Sequence, residues 1–84
     1  MENILFTIEL RDGTKGYGEA AVATHITGET IGQTLKNLKG IAFWLEGRAI
    51  ADYLDISAQL HERLPHNQSA LAAVEIAVFD ALTR

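Results

Sequence analysis

A chain of 84 residues without cysteine is one domain at most, and only a hydrophobic core, alone or shared with a partner, can hold it together, since no disulfide or thiolate-metal site is available. Hydrophobic residues make up 48% and charged residues 21%, a globular composition that excludes a disordered chain. The net charge is -4, the pI is near 5.2, and Lys and Arg are scattered, which excludes a basic surface for nucleic acid.

Ile4, Phe6, Ile8 and Leu10 alternate with Asn3, Leu5, Thr7 and Glu9, the period of a half-buried strand. Asp12-Gly13 supplies the positive φ of a tight hairpin turn, so residues 15–20 are predicted to return antiparallel and complete a hairpin over 3–20. On the returning strand Gly16, Gly18 and Ala20 share one face, a shallow trough that another backbone or a helix can approach closely. Residues 21–27 have no sustained period and read as a loop, with Thr27 as helix N-cap and Glu29 in the first turn.

Helices are predicted over 28–84. In the first, Ile31, Leu35, Leu38, Ala42 and Leu45 form an apolar stripe, weakened by Gly40 and stopped by Gly47. In the second, Tyr53, Ile56, Leu60 and Leu64 form the buried face until Pro65 ends it. The third, 69–84, is apolar almost all round. Ala70, Ala73, Ala77 and Ala81 make a small-residue face, Leu71, Val74, Val78 and Leu82 a bulky one, and Ile76 and Phe79 a third. Such a helix expects burial on every side, and two strands and two helices cannot surround it. The fold class is therefore α+β: an antiparallel hairpin, part of a meander, followed by three helices, with a covering surface missing from these residues.

Three stretches carry a resemblance: Gly16-Tyr17-Gly18-Glu19-Ala20, then Ile26-Thr27-Gly28-Glu29-Thr30, then Ser69-Ala70-Leu71-Ala72-Ala73-Val74-Glu75-Ile76-Ala77-Val78-Phe79-Asp80. In order and spacing the chain resembles the mandelate racemase/muconate lactonizing enzyme family of the enolase superfamily, and within it the dipeptide epimerases, with muconate cycloisomerase and o-succinylbenzoate synthase as close alternatives. The resemblance implies a single, incomplete N-terminal capping domain over 1–84, seated on a (β/α) barrel that is absent here. The family's acid/base lysines and acidic Mg²⁺ ligands would lie on that barrel, after Arg84, and a further strand and a mobile loop would precede Asn3. It implies no catalytic residue, metal ligand or cofactor in this chain, and Mg²⁺ in the full-length enzyme. It places a substrate-specificity loop on residues 22–27, with Thr24, His25, Ile26 and Thr27 as the residues that face substrate.

Other motifs lead nowhere. Gly16-Tyr17-Gly18-Glu19-Ala20-Ala21 fits the dinucleotide-binding pattern but lies within a hairpin strand instead of opening a helix. His61 and His66 are separated by Pro65 and fall on different faces, and nothing gathers them with His25 around a metal. Glu75 and Asp80 diverge on their helix, so each is expected to cap a backbone group or pair with a cation, and Glu19 to accept hydrogen bonds from the following loop. The Asn67-Gln68-Ser69 sequon has no role, because the Met1-Glu2-Asn3 start is not a secretion signal and no apolar run is long enough to cross a membrane. The cytoplasm is the expected location. The barrel of the parent enzyme is the expected partner, homo-oligomerisation is expected, and neither nucleic acid nor membrane is. The rival reading is a stand-alone interaction module that oligomerises and catalyses nothing.

Overall fold

The structure, a computed structural model, describes residues 2–22 and 30–84. Strands β1 (Glu2–Glu9) and β2 (Lys15–Val22) form a two-stranded antiparallel sheet, followed by helix α1 (Ile31–Leu45), a 3₁₀ turn (Ile50–Asp52), α2 (Tyr53–Arg63) and α3 (Gln68–Leu82). This is the α+β hairpin with three helices that the periodicity predicts, and no barrel is present among the described residues. None of the described helices is long and apolar enough to cross a membrane.

The hairpin turns where expected. Gly13 takes φ 90°, and the Thr14 N–H donates to Asp12 Oδ1 at 2.9 Å. An unbroken register runs from Glu9 opposite Lys15 to Glu2 opposite Val22. Strand β2 extends past the predicted end at Ala20, because Val22 is one more buried residue in phase with Gly16, Gly18 and Ala20. Val22, assigned to the loop by the resemblance, is therefore a core strand residue.

Helix α3 lies mainly over β2, with α1 and α2 packed on its other sides. The glycine trough permits this approach. A Cβ on Gly16 would lie 2.7 Å from the Ala81 Cβ, and one on Gly18 would collide with the Ala73 carbonyl oxygen. Ala73, Ala77 and Ala81 meet this trough, while Leu71, Val74 and Val78 join Phe6, Leu38, Ile41, Ile56, Leu60 and Leu64 in the core.

Helix α1 departs from its predicted stripe. Its buried residues are Thr34, Leu38 and Ile41, whereas Leu35 and Ala42 are exposed. The helix is rotated so that Thr34 meets Asn67, a polar contact that hydrophobic periodicity cannot register. Thr30 is the cap of the described helix, its Oγ1 accepting the Gln33 N–H at 3.1 Å. The predicted Thr27 cap lies outside the described residues. The chain leaves α1 through Gly47 at φ 83°, and α2 ends at Arg63, before Pro65.

Candidate functional site

Thr24, His25, Ile26 and Thr27 also lie outside the described residues, but both ends of the segment 23–29 rest on a defined frame. At the β2 end, Ser69 Oγ donates to the Ala21 carbonyl at 3.0 Å. At the α1 end, Thr30 caps the helix, and one turn later Thr34 is fully buried. Asn67 Nδ2 donates to Thr34 Oγ1 at 3.1 Å, and Asn37 Nδ2 donates to Asn67 Oδ1 at 2.8 Å. Asn67 stands at the N-cap position of α3, yet its side chain makes no cap bond, because it is committed sideways to α1. At 2% exposure it needs those partners, since an unmet buried amide is costly. Ser69 and Asn67 thus hold both flanks of the segment to the start of α3. Sequence reasoning missed this network: Asn67 figured only as part of a sequon, and Thr34 and Asn37 carried no signal.

The acids of α3 serve the fold. Asp80 Oδ2 accepts the Tyr17 N–H at 2.9 Å and pairs with Arg84 at 3.0 Å. These contacts, the Tyr17 N–H first, hold the Asp80 carboxyl below its ordinary value. Glu75 accepts from Ser57 Oγ at 2.7 Å and lies 3.4 Å from His61 Nε2, joining α2 to α3. Asp80 thus caps a backbone N–H and meets a cation as expected, whereas Glu75 takes a side-chain hydroxyl and lies beside an imidazole. His66 is exposed and His25 lies outside the described residues. Among the described residues no three His, Cys, Asp or Glu side chains gather to hold a metal ion. Glu19 is exposed on β2, and residues 23–29 of the loop expected to donate to it are not described.

One face of α3 is left uncovered. Ile76 is 54% exposed, Phe79 55% and Leu82 41%, on a helix whose other apolar residues are mostly buried. Tyr53 stacks edge-on against Phe79 with centroids 5.9 Å apart. Tyr17, Tyr53, Ile76 and Phe79 line a shallow depression of about 600 Å³, rimmed by Glu75, Asp80 and Thr83. A contiguous apolar surface of this kind marks an interface rather than a reaction centre.

No protein-family model matches the chain. It is 43% identical over all its 84 residues to the hydrophobic dipeptide epimerase of Citrifermentans bemidjiense, of which it covers 23%. It is 33% identical over 82 residues to the aromatic dipeptide epimerase of Herpetosiphon aurantiacus, again covering 23% of that protein. Among solved structures, the mandelate racemase/muconate lactonizing protein from Herpetosiphon aurantiacus superposes with a TM-score of 0.91 at 33% identity, over 98% of this chain and 23% of that one. A dipeptide epimerase from Methylococcus capsulatus, complexed with Mg and the dipeptide L-Arg-D-Lys, gives 0.86 at 34% identity, over 95% of this chain and 23% of that one. The chain thus spans about 23% of the length of the relatives it matches. It belongs to the mandelate racemase/muconate lactonizing enzyme family of the enolase superfamily, matches the N-terminal region of its members as a capping domain does, and is most like the dipeptide epimerases among them.

Proposed function

We propose that this chain is the specificity cap of a cytoplasmic dipeptide epimerase, in which the chemistry belongs to a barrel that seats against the open face of α3. The observation that carries this reading is the Ile76–Phe79–Leu82 face, apolar and uncovered on a helix otherwise packed on all sides. On this reading Thr24, His25, Ile26 and Thr27, in the segment whose flanks Ser69, Asn67 and Thr30 hold, discriminate between substrates. The dipeptide named with the Methylococcus capsulatus structure is cationic, whereas the two similar epimerases are called hydrophobic and aromatic, and a loop of the cap is where such a difference is seated on this reading.

That relative also holds Mg. The described residues here do not fit the ion, since the Asp80 and Glu75 carboxylates are already taken by Tyr17 and Arg84 and by Ser57 and His61. On this reading the chemistry lies with the barrel, and the chain by itself is expected to turn over no dipeptide.

A chimera tests the reading: this chain replaces the matched residues of the Citrifermentans bemidjiense epimerase, and dipeptide epimerisation is followed by chiral chromatography. The expected result is a folded enzyme active on at least one dipeptide class. A folded chimera inert towards hydrophobic, aromatic and cationic dipeptides alike overturns the proposal.

A further inference from the structure

One peptide bond of the hairpin turn carries chemistry of its own. Of the four Asp and three Asn residues in the chain, only Asp12 precedes a glycine. That pairing is the one most open to isomerisation, because a following residue without a side chain lets its amide nitrogen swing onto the carboxyl carbon. Nothing around the turn shields it: Arg11, Asp12 and Gly13 are exposed, and a Cβ on Gly13 would meet no atom within 4 Å. What the turn does supply is a set of hydrogen bonds on the reacting groups. The Gly13 N–H, whose nitrogen would be the nucleophile, donates to the Leu10 carbonyl at 3.0 Å. Asp12 Oδ1 accepts the Thr14 N–H at 2.9 Å, which holds the carboxyl towards Thr14. The Leu10 N–H donates to the Thr14 carbonyl at 2.8 Å and closes the turn around both. Bonding from Thr14, its N–H foremost, also keeps the Asp12 carboxyl below its ordinary value, so the protonated form, from which water leaves, is scarcer than in an open chain.

We propose that Asp12 is a latent isoaspartate site, held unreactive by the Gly13–Leu10 and Thr14–Asp12 hydrogen bonds of the closed turn and released when the hairpin opens. In the reaction the Gly13 nitrogen bonds to Asp12 Cγ, and the carboxyl hydroxyl leaves as water with the amide proton, which forms a five-membered succinimide. One water then adds to the ring and breaks one of its two C–N bonds. Breaking the new bond restores Asp12, whereas breaking the original peptide bond leaves the chain running through the former side chain as isoaspartate. The water lost is regained, nothing is oxidised, and the mass of the chain is unchanged. The product does not fit the turn it came from. Its backbone is longer by one methylene and its free carboxylate is shorter by one carbon, so the Thr14 N–H loses its acceptor and the register that begins at Glu9 opposite Lys15 is set out of step. Surface turns open at lower free energy than a core does, so modification at Asp12 accumulates with each opening of this hairpin and marks it permanently.

Incubating the full chain at mildly acid pH, with and without guanidinium chloride, tests this, with isoaspartate at position 12 counted by peptide mapping and mass spectrometry. Circular dichroism identifies the folded sample, and should the chain not fold alone the same comparison is made on the epimerase chimera. The folded protein is expected to isomerise at least about tenfold more slowly than the denatured one. Asp12→Asn keeps an Oδ1 acceptor for the Thr14 N–H and removes the ionisation, and it reaches the same succinimide by losing ammonia. Its deamidation should be slowed on folding to a similar degree. Equal rates in folded and denatured wild type overturn the proposal. So does an Asp12→Asn variant that deamidates as fast folded as denatured, which would assign the protection to the charge on the carboxylate alone. Neither readout depends on epimerase activity, so this proposal and the reading of the chain as a specificity cap fail separately.

Discussion

Asp80 Oδ2 accepts the Tyr17 N–H at 2.9 Å and Arg84 Nη2 at 3.0 Å, so one carboxylate oxygen ties the last turns of α3 to the outer edge of β2. Its carboxyl is held below the ordinary 3.8, by the Tyr17 N–H foremost and then by Arg84. A depressed folded-state value contributes stability that is complete above the unfolded value and is lost as pH falls through the folded one. Stability measured by urea unfolding should therefore be level near neutrality and decline once pH drops below about 4. Asp80→Asn should flatten part of that decline. Part should persist, because the Thr14 N–H holds Asp12 down in the same direction. An unchanged acid slope in Asp80→Asn would show that the contact adds nothing in solution.

Glycines separate close packing from mere flexibility. Gly18→Ala forces a methyl group onto the Ala73 carbonyl oxygen, a backbone atom that can yield only if α3 lifts off the sheet. A loss of about 2–3 kcal/mol is expected, at the upper end of overpacking costs. Gly40→Ala is the contrast, since nothing lies within 4 Å of a Cβ there and the residue is inside α1. It should gain about 0.5–1 kcal/mol through helix propensity and a less flexible unfolded chain. Equal effects at the two positions, in paired urea titrations, would remove the close-approach account of the trough.

The polar frame should behave as a unit. Asn67→Ala deprives Thr34 and Asn37 of their shared partner and should cost about 1–3 kcal/mol. Thr34→Val removes the hydroxyl and leaves the Asn67 amide short of an acceptor. The double variant Thr34→Val/Asn67→Ala should then cost less than the sum of the singles, a coupling that a double-mutant cycle in urea measures. Strict additivity would show that the buried contact carries no energy of its own.

These contrasts locate what the sequence makes legible. The hairpin is plain because Asp12-Gly13 sits between two clean alternations, and the close approach of α3 is plain because Gly16, Gly18 and Ala20 fall on one face opposite Ala73, Ala77 and Ala81. The exposed Ile76 and Phe79 follow from counting apolar faces against available neighbours. The rotation of helix α1 is not legible, because Ile31, Leu35, Leu38, Ala42 and Leu45 and the observed Thr34, Leu38 and Ile41 are both helical stripes. On the observed face Thr34 meets Asn67, thirty-three residues away in the chain, and Ile41 enters the core. Thr34 and Asn67 are polar, and nothing local marks a polar residue as buried. The specificity assignment to Thr24, His25, Ile26 and Thr27 comes from resemblance alone, since neither periodicity nor a chemical motif singles them out.

That assignment has its own test in the chimera. If residues 24–27 face substrate, exchanging Thr24, His25, Ile26 and Thr27 for the residues at the matching positions of the Methylococcus capsulatus enzyme should alter discrimination between dipeptides. The expected change is about tenfold in the ratio of kcat/KM for a hydrophobic over a cationic dipeptide, the scale on which one or two pocket contacts act. Stability should stay within about 0.5 kcal/mol, as for surface substitutions that break no buried contact. A stability change without a change in the ratio would mark these residues as part of the frame that Ser69, Asn67 and Thr30 form at the flanks. A constant ratio with constant stability would leave them a surface connection between β2 and α1, and the determinant of specificity would then lie on the barrel.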